Sequence, residues 1–341
     1  METKRFTAKD IKEAAACLRQ GQLVSFPTET VYGLGANALS EAAVKQVYEV
    51  KGRPSDNPLI VHVSSKEMMQ KYVEELPEAA DRLIQHFWPG PLTLIVPMKK
   101  GTFSSAVTGG LTTVAFRMPN NPLTLELIKE AGVPLVGPSA NTSGKPSPTT
   151  ADHVYHDLQG KIAGILDGGA AEIGVESTVL DLTDSLAGPT ILRPGAVTKE
   201  ALTKVIGAVA IDQHLLSEKE APKAPGMKYK HYSPDVPVWI VRNEPEEWHN
   251  AVEWATSQKK RVGLFAGEDI VSLFGEEQRV ECYSFGKNTV EQAARYLFSG
   301  LRALDKMDID VVFAPAFPET GLGEAYMNRL KKAANQKIFK N

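Results

Sequence analysis

The stretch KGRPSDNPLIVHV, residues 51–63, links a predicted helix to a predicted buried strand. Ser40 can cap the helix, which is expected to run through Val50. LIVHV is a short apolar run that directly follows a proline, a pattern typical of a buried strand. A helix that leads through a loop into a buried strand is a recurring unit of α/β proteins, so this stretch predicts that fold class.

The loop in this stretch holds two cations close together. Only one residue separates Lys51 from Arg53, and Pro54 and Pro58 restrict the surrounding backbone. Like charges this close repel each other, so either solvent screens the pair or an anion binds there. An exposed charged loop and an anion-binding loop are both consistent with the spacing.

The composition is that of a globular protein. The chain has 341 residues, 43% hydrophobic and 23% charged, and this length favours two domains. Its 41 acidic and 38 basic residues argue against a chain-wide basic field for nucleic acid. Cys17 and Cys282 form no CxxC pair, and no apolar run is long enough to span a membrane. We therefore expect a reduced, cytoplasmic protein without a membrane partner.

Short strands and helices follow one another irregularly on both sides of residues 51–63. A capping-box pattern at Thr7–Asp10 predicts a helix that ends near Gly21, whereas PTETVYGLGANA (27–38) is too rich in turn formers to continue a strand. The predicted strands are LVSF (23–26), LIVHV (59–63), LTLIVP (92–97), TVAFRM (113–118), the start of PLVGPSAN (134–141), GILDGG, STVLDL and TILRPG. Because several strands follow one another without a helix, we expect a mixed sheet.

The pattern changes after Gly207. Residues 208–235 are polar and contain prolines, which predicts a linker between a first domain (1–207) and a second domain (236–341). The second domain alternates strands and helices regularly, as a small doubly wound domain does. Within the linker, KYKHY (228–232) is either a tether or a lid that closes over a ligand.

Motifs of several common enzyme classes are absent. The sequence contains no GxxxxGK[ST], GxGxxG, GxSxG or HExxH pattern. His153 and His156 lie three residues apart on a predicted helix, where two surface histidines are favoured over a metal-binding pair.

Polar side chains instead recur where predicted strands end, which is where open α/β sheets bind ligands. Ser139 and Asn141 are two residues apart in GPSANTSGKPSPT (137–149), directly after a strand, and can face the same way. Arg117 shares one strand face with Thr113 and needs an anionic partner in an otherwise apolar strand.

Two further sites extend this pattern. Glu176, Ser177 and Thr178 lie at the start of one strand, and Arg193 lies at the end of another. Each signal is weak alone, but together they favour a nucleotide and a small zwitterion that are bound by charge and hydrogen bonds.

Nine longer motifs carry a family resemblance across nearly the whole chain. They are PTETVYGLGANA (27–38), KGRPSDNPLIVH (51–62), WPGPLTL (88–94), TVAFRMP (113–119), GPSAN (137–141), GVEST (174–178), LRPG (192–195), APGMKYKHYSP (224–234) and GLGEAYMNRLKKA (321–333). With these motifs the sequence resembles the two-domain threonylcarbamoyl-AMP synthases with a YrdC-like catalytic domain. The resemblance implies a twisted, open mixed sheet with a large concave cavity, followed by a small Rossmann-like domain.

The resemblance also implies a reaction. L-Threonine, bicarbonate and ATP would give threonylcarbamoyl-AMP and pyrophosphate, and the product would serve threonylcarbamoyladenosine formation at position 37 of tRNA. Mg²⁺ would arrive with ATP. A threonylcarbamoyl transferase machinery would take the adenylate, and a weak tRNA contact is a further expected interaction.

Residue roles follow from the same resemblance. The expected catalytic residues are Lys51, Arg53, Ser139 and Asn141. The expected ATP-binding residues are Arg53, Asn57, Thr113, Ser139, Asn141, Thr149, Arg193 and Tyr232. The expected L-threonine-binding residues are Thr30, His62, Arg117 and Ser177.

Three other functions are alternatives to this one. An RNA-binding module would require a basic face, against which the acidic balance argues. A carbamoyl-transfer maturation enzyme that uses carbamoyl phosphate would carry CxxC zinc modules, which this chain lacks. A threonine sensor would bind the amino acid but would release no pyrophosphate from ATP.

Overall fold

The computed structural model describes residues 2–184, 186–212, 232–275 and 277–340. Most of the predicted linker, including 228–231 of KYKHY, lies outside these described residues. The chain divides into two compact units. Of the described residues, the second unit contains Gly144–Pro146, Ile173–Val175 and the chain from Tyr232 onward, and the first unit contains the rest.

The first unit is built on a mixed sheet of eleven strands among the described residues. The strands are β1 (Lys4–Phe6), β2 (Val24–Phe26), β3 (Gly33–Asn37), β4 (Ile60–His62), β5 (Leu92–Pro97), β6 (Thr113–Arg117), β7 (Leu135–Val136), β8 (Gly164–Leu166), β9 (Thr178–Asp181), β10 (Thr190–Arg193) and β11 (Ala210–Ile211). Their order across the sheet is β1-β8-β2-β3-β7-β4-β6-β5-β9-β10-β11, and both parallel and antiparallel pairs occur.

Helices of the first unit begin at the caps that the sequence predicts. Thr7 and Asp10 form a capping box before α1, and Ser40 Oγ accepts a hydrogen bond from the Ala43 amide at the start of α2. The helices are α1 (Ile11–Arg19), α2 (Glu41–Lys51), α3 (Lys66–Gln70), α4 (Glu78–Phe87), α5 (Ser105–Thr108), α6 (Pro122–Ala131), α7 (Ala151–Leu158) and α8 (Lys199–Ile206), with a short 3₁₀ turn at Ala8–Asp10.

Strand β3 differs from the sequence-based prediction. GLGAN was expected to be turn, yet it pairs antiparallel with β2. A Cβ atom on Gly33 would lie 2.7 Å from the Phe26 ring, and one on Gly35 would lie 2.6 Å from the Val24 carbonyl oxygen. The glycines therefore serve close strand packing rather than a turn.

Strand β11 also differs, because it lies within the predicted linker. It pairs in parallel with β10, so the sheet of the first unit continues past Gly207. Residues 210 and 211 therefore pair with the sheet although they follow the change in composition, and the bounds 1–207, 208–235 and 236–341 stay predictions.

The central strands of the first unit bury one face fully. Val61, Leu94, Phe116 and Leu180 belong to a large core that also includes side chains from α2, α4 and α8. The other face of these strands carries a small apolar cluster of Ile60, Ile95, Ala115 and Val179. Polar side chains also extend from this second face, and the candidate site lies there.

The second unit contains a four-stranded parallel sheet among the described residues, in the order β12-β15-β13-β14. Its elements are β12 (Val238–Arg242), α9 (Pro245–Ser257), β13 (Val262–Ala266), α10 (Glu268–Val271), β14 (Val280–Ser284), α11 (Val290–Leu304), β15 (Val311–Ala316) and α12 (Leu322–Ala333). The predicted fold class, a mixed α/β sheet followed by a smaller parallel α/β unit, is confirmed. None of the described helices is long and apolar enough to cross a membrane.

Candidate active site

A row of polar side chains crosses the central strands of the first unit. His62 on β4 is in register with Arg117 on β6, which is in register with Thr93 on β5. Across β9, the same row ends at Arg193 on β10. Residues in register share a face of the sheet, so this row lies on the face that carries the small apolar cluster.

Arg117 is the centre of the row and is only 4% exposed. Its Nη1 donates to Thr30 Oγ1 over 2.9 Å and its Nε donates to the Gly90 carbonyl over 3.4 Å. Its Nη2 lies 2.8 Å from Glu29 Oε2. That distance makes an ion pair, but the two atoms do not meet in hydrogen-bond geometry, so the contact is chiefly electrostatic.

The turn between β2 and β3 presents Glu29 and Thr30 to Arg117. Thr28 Oγ1 accepts hydrogen bonds from the amides of Thr30 and Val31, both at 3.1 Å, and so fixes the turn. The Glu29 carbonyl accepts a hydrogen bond from the Glu172 amide at 3.1 Å. The PTETV segment (27–31) is thus a hydrogen-bonded turn whose side chains are buried.

His62 is buried and neutral. Desolvation, and secondarily the positive charge of Arg117, lower the pKa of His62 to about 3. The imidazole packs edge-on against the Phe26 ring, with centroids 5.3 Å apart. A Cβ atom on Gly137 would lie 2.7 Å from His62 Nδ1, so the glycine leaves the imidazole its space.

Four buried polar atoms of this cluster have no hydrogen-bond partner among the described residues. They are both carboxylate oxygens of Glu29, Nη2 of Arg117 and Nδ1 of His62. Buried polar atoms are paired in the great majority of cases. Their concentration at one place indicates a ligand that carries both an anionic and a cationic or hydrogen-bonding group.

Arg193 connects this cluster to the next strand. Its Nε donates to the Ser177 carbonyl over 3.1 Å, and its Nη2 donates to Ser177 Oγ over 3.0 Å. Ser177 Oγ also lies 2.8 Å from Thr93 Oγ1. A continuous set of polar contacts therefore places Ser177 and Arg193 beside the Arg117 row.

Lys51 supports the loop that follows β7. It is the last residue of α2, and Gly52 ends the helix in the left-handed conformation at φ 62°. The Lys51 side chain is 2% exposed, so this cation is not part of a solvated loop. Its Nζ donates to the Ser139 carbonyl and, over 2.6 Å, to the Asn141 carbonyl. Residues 139–141, which follow β7, are called the S-x-N loop below. Lys51 thereby places a positive charge next to the backbone of this loop.

Arg53 lies beside a hollow next to the apolar cluster. Its Nη2 makes long hydrogen bonds to the carbonyls of Asn57, at 3.5 Å, and Pro58, at 3.4 Å. Pro58 also lines a small hollow together with Thr113 and Ala115, with room for about one water molecule. The arginine, rather than the hollow, is the feature here that suits a phosphate group.

Comparison with known proteins assigns the chain to a family. The family model described as telomere recombination, that of Sua5, YciO and YrdC, matches residues 16–195. The model described as the C-terminal domain of threonylcarbamoyl-AMP synthase matches residues 197–335. The threonylcarbamoyl-AMP synthase of Bacillus subtilis is 48% identical over 331 residues, which cover 97% of this chain and 94% of the relative. The chain belongs to the threonylcarbamoyl-AMP synthase family.

Other members of the synthase family agree with this assignment. The threonylcarbamoyl-AMP synthase of Pyrococcus abyssi is 47% identical and covers 97% of this chain and 95% of its own. The crystal structure of P. abyssi Sua5 complexed with L-threonine superposes with a TM-score of 0.92 at 44% identity, over 99% of this chain and all of that one. Membership of the synthase family makes the chain an enzyme of the nucleotidyl-transfer type.

The structure places most residues that the sequence predicts for the synthase site in the first unit. The expected threonine set, Thr30, His62, Arg117 and Ser177, lies along the polar row and its contacts. Of the expected ATP set, Thr149 is 2% exposed and its hydroxyl contacts His153 Nδ1 at 3.4 Å. Tyr232 lies in the second unit, where its ring stacks on Phe298 with centroids 5.2 Å apart. The predicted roles of these residues stay predictions.

Two polar residues of the site were missed by sequence reasoning. Thr93 reads as part of the apolar run LTLIVP, and only strand register reveals that it lies beside Arg117. Glu29 lies inside a quoted motif of the synthase family, yet no role was assigned to it. A charged residue between two threonines, directly after a buried strand, was the available signal.

Proposed function

We propose that the chain joins L-threonine, bicarbonate and ATP into threonylcarbamoyl-AMP, with release of pyrophosphate, at the polar row of the first unit. The observation that carries this proposal is the set of buried atoms on Glu29, Arg117 and His62 that have no hydrogen-bond partner among the described residues. An α-amino acid supplies a carboxylate, an ammonium group and a side chain to such a set. The L-threonine complex of P. abyssi Sua5 supports this choice of ligand.

The threonine carboxylate is proposed to bind Arg117. The guanidinium is oriented from three sides, by Thr30, Gly90 and Glu29, and is almost entirely desolvated. A carboxylate bound to such a preorganised arginine makes charge-assisted hydrogen bonds without reorganisation of the side chain. Neutral His62 adds a hydrogen-bonding group without adding a second cation.

The nucleotide is proposed to lie between the apolar cluster and the S-x-N loop. Apolar side chains such as Ala115 would contact the base or ribose, and cations would face the phosphates. The residues proposed to contact ATP are Arg53, Asn57, Thr113, Ser139, Asn141, Thr149, Arg193 and Tyr232. Support comes from the contact of Arg193 with Ser177, because it places a cation next to the proposed threonine pocket.

The proposed mechanism needs no nucleophile from the protein. The threonine amine forms a carbamate, with loss of water from bicarbonate or of a proton when it adds to carbon dioxide. A carbamate oxygen then attacks the α-phosphorus, and the bond between the α- and β-phosphates breaks as pyrophosphate leaves. The chain aligns these groups and offsets negative charge through Lys51 and Arg53. Lys51 acts from beneath the loop because its Nζ contacts the carbonyls of Ser139 and Asn141. Loss of one such group costs about 2–4 kcal/mol of transition-state stabilisation.

Magnesium is proposed to enter with ATP. Among residues 2–184, 186–212, 232–275 and 277–340, no three His, Cys, Asp or Glu side chains are grouped so that they could hold a metal ion. Phosphate oxygens and water would therefore supply most of its ligands, as is usual for Mg²⁺ with nucleotides.

A pyrophosphate-release assay tests the function. ATP, L-threonine and bicarbonate are each omitted in turn, and release is expected only when all three are present. Lys51→Ala and Arg53→Ala should each lower release about 30- to 1,000-fold in a folded protein. Lys45→Ala on the same helix is the matched control, because Lys45 is exposed and pairs with Glu41 over 2.7 Å. Threonine binding without pyrophosphate release would instead indicate a sensor.

Downstream steps complete the proposal. A threonylcarbamoyl transferase would consume the adenylate, and contact with tRNA would be weak because the chain carries a net charge of -3. We place the reaction in the cytoplasm, with which the free thiols of Cys17 and Cys282 are consistent.

A further inference from the structure

Glu29 is a buried carboxylate that the reaction as described above does not use. The residue is 5% exposed, and its turn is fixed by the hydroxyl of Thr28. Among the described residues its carboxylate has one ionic neighbour, Nη2 of Arg117 at 2.8 Å, and neither oxygen accepts a hydrogen bond. A desolvated carboxylate in this state is costly unless a further donor completes its hydrogen bonding.

The charges around Glu29 match those of a zwitterion. Glu29 supplies one negative charge and Arg117 one positive charge, while His62 is neutral at physiological pH. The α-carboxylate and α-ammonium of an amino acid are as close to each other as the charges of this pair. A zwitterion that lies against the pair can therefore contact both opposite charges and leave the net charge of the site unchanged.

We propose that Glu29 binds the α-ammonium group of the amino-acid substrate and so selects for a free amine. The inference rests on the proposed function, because it takes the substrate carboxylate to bind Arg117. When that carboxylate binds, two carboxylates share one guanidinium, and the ammonium group restores the balance by donating to Glu29. Glu29 is then a substrate-binding residue as well as a counter-ion of Arg117.

This role predicts that a Glu29 substitution affects the binding of two ligands differently when they differ only in the amine. L-Threonine carries the ammonium group, and 3-hydroxybutyrate is the same acid without it. Glu29→Gln should weaken threonine binding about 10- to 100-fold, the loss of one charge-assisted hydrogen bond. The same variant should leave 3-hydroxybutyrate binding unchanged or tighten it, because Arg117 then no longer shares its charge with Glu29.

Titration calorimetry of the full chain with each ligand measures both affinities. Glu172→Gln is the matched control, since Glu172 is exposed and its amide contacts the Glu29 carbonyl; it should change neither affinity. If Glu29→Gln does not fold, Glu29→Asp replaces it in the test. This variant keeps the charge on a shorter side chain, and it should weaken the binding of threonine but not of 3-hydroxybutyrate.

The outcomes separate this inference from the proposed function. If Glu29→Gln weakens the binding of both ligands equally, Glu29 has a merely structural role and the inference is overturned. An unchanged threonine affinity in Glu29→Gln would also overturn it. In either case a wild-type chain that binds threonine and releases pyrophosphate leaves the proposed function intact. A wild-type chain that fails to bind threonine overturns both.

Discussion

The neutral state of His62 gives a prediction with a defined size. Its pKa is lowered to about 3, whereas an exposed histidine titrates near 6.5. Between these values the unfolded state binds a proton that the folded state does not, so the free energy of unfolding rises with pH in this window. From pH 6.5 down to pH 5.0 the burial of His62 should remove about 2 kcal/mol of stability, at about 1.36 kcal/mol per pH unit.

Two measurements check this value. Histidine-selective ¹⁵N NMR follows all seven histidines, and His62→Gln assigns the missing signal; the His62 imidazole should stay neutral at pH 5. Urea unfolding of the first-unit transition at pH 7 and pH 5 should show a smaller acid loss in His62→Gln than in the wild type, by about 2 kcal/mol. A His62 signal that titrates near pH 6.5, or equal acid losses in both proteins, would refute the neutral, desolvated imidazole.

Three further substitutions test separate parts of the site. Gly137→Ala would place a Cβ atom 2.7 Å from His62 Nδ1 and should destabilise the first unit by about 1–3 kcal/mol; an unchanged melting temperature would contradict the close packing. Lys51→Met removes the donor to the S-x-N loop and should lower kcat about 100-fold or more with only a small change in KM for threonine. A variant with a higher KM for threonine and an unchanged kcat would contradict the proposed role of Lys51. Arg193→Met should raise KM for ATP about 10-fold or more, and a wild-type KM for ATP would remove Arg193 from the nucleotide site.

Local signals predicted the regular elements well. The caps at Thr7 and Ser40 and the apolar runs at β4, β5 and β6 lie where the sequence places them, because side-chain chemistry within a few residues determines them. Strands β3 and β11 were missed for the opposite reason. Gly33 and Gly35 belong to a strand through pairing with β2, where the Phe26 ring leaves no room for a Cβ atom on either, and β11 is two residues long and pairs with β10.

The site shows the same division between local and long-range information. Arg117 could be suspected from its own strand, since a buried arginine needs a partner. The partner itself, Glu29, is 88 positions away in the sequence, and only the folded turn brings the two together. The sequence is consistent with Lys51 in an exposed loop or in an anion-binding loop, whereas the structure shows its Nζ on two loop carbonyls, a contact that no sequence pattern encodes.

A crystal structure of the chain with L-threonine and a non-hydrolysable ATP analogue tests the central claim most directly. We expect the threonine carboxylate on the guanidinium of Arg117, its ammonium group on Glu29, and the triphosphate between Arg53 and Arg193. Threonine bound elsewhere, with Arg117 and Glu29 still paired only with each other, would contradict it.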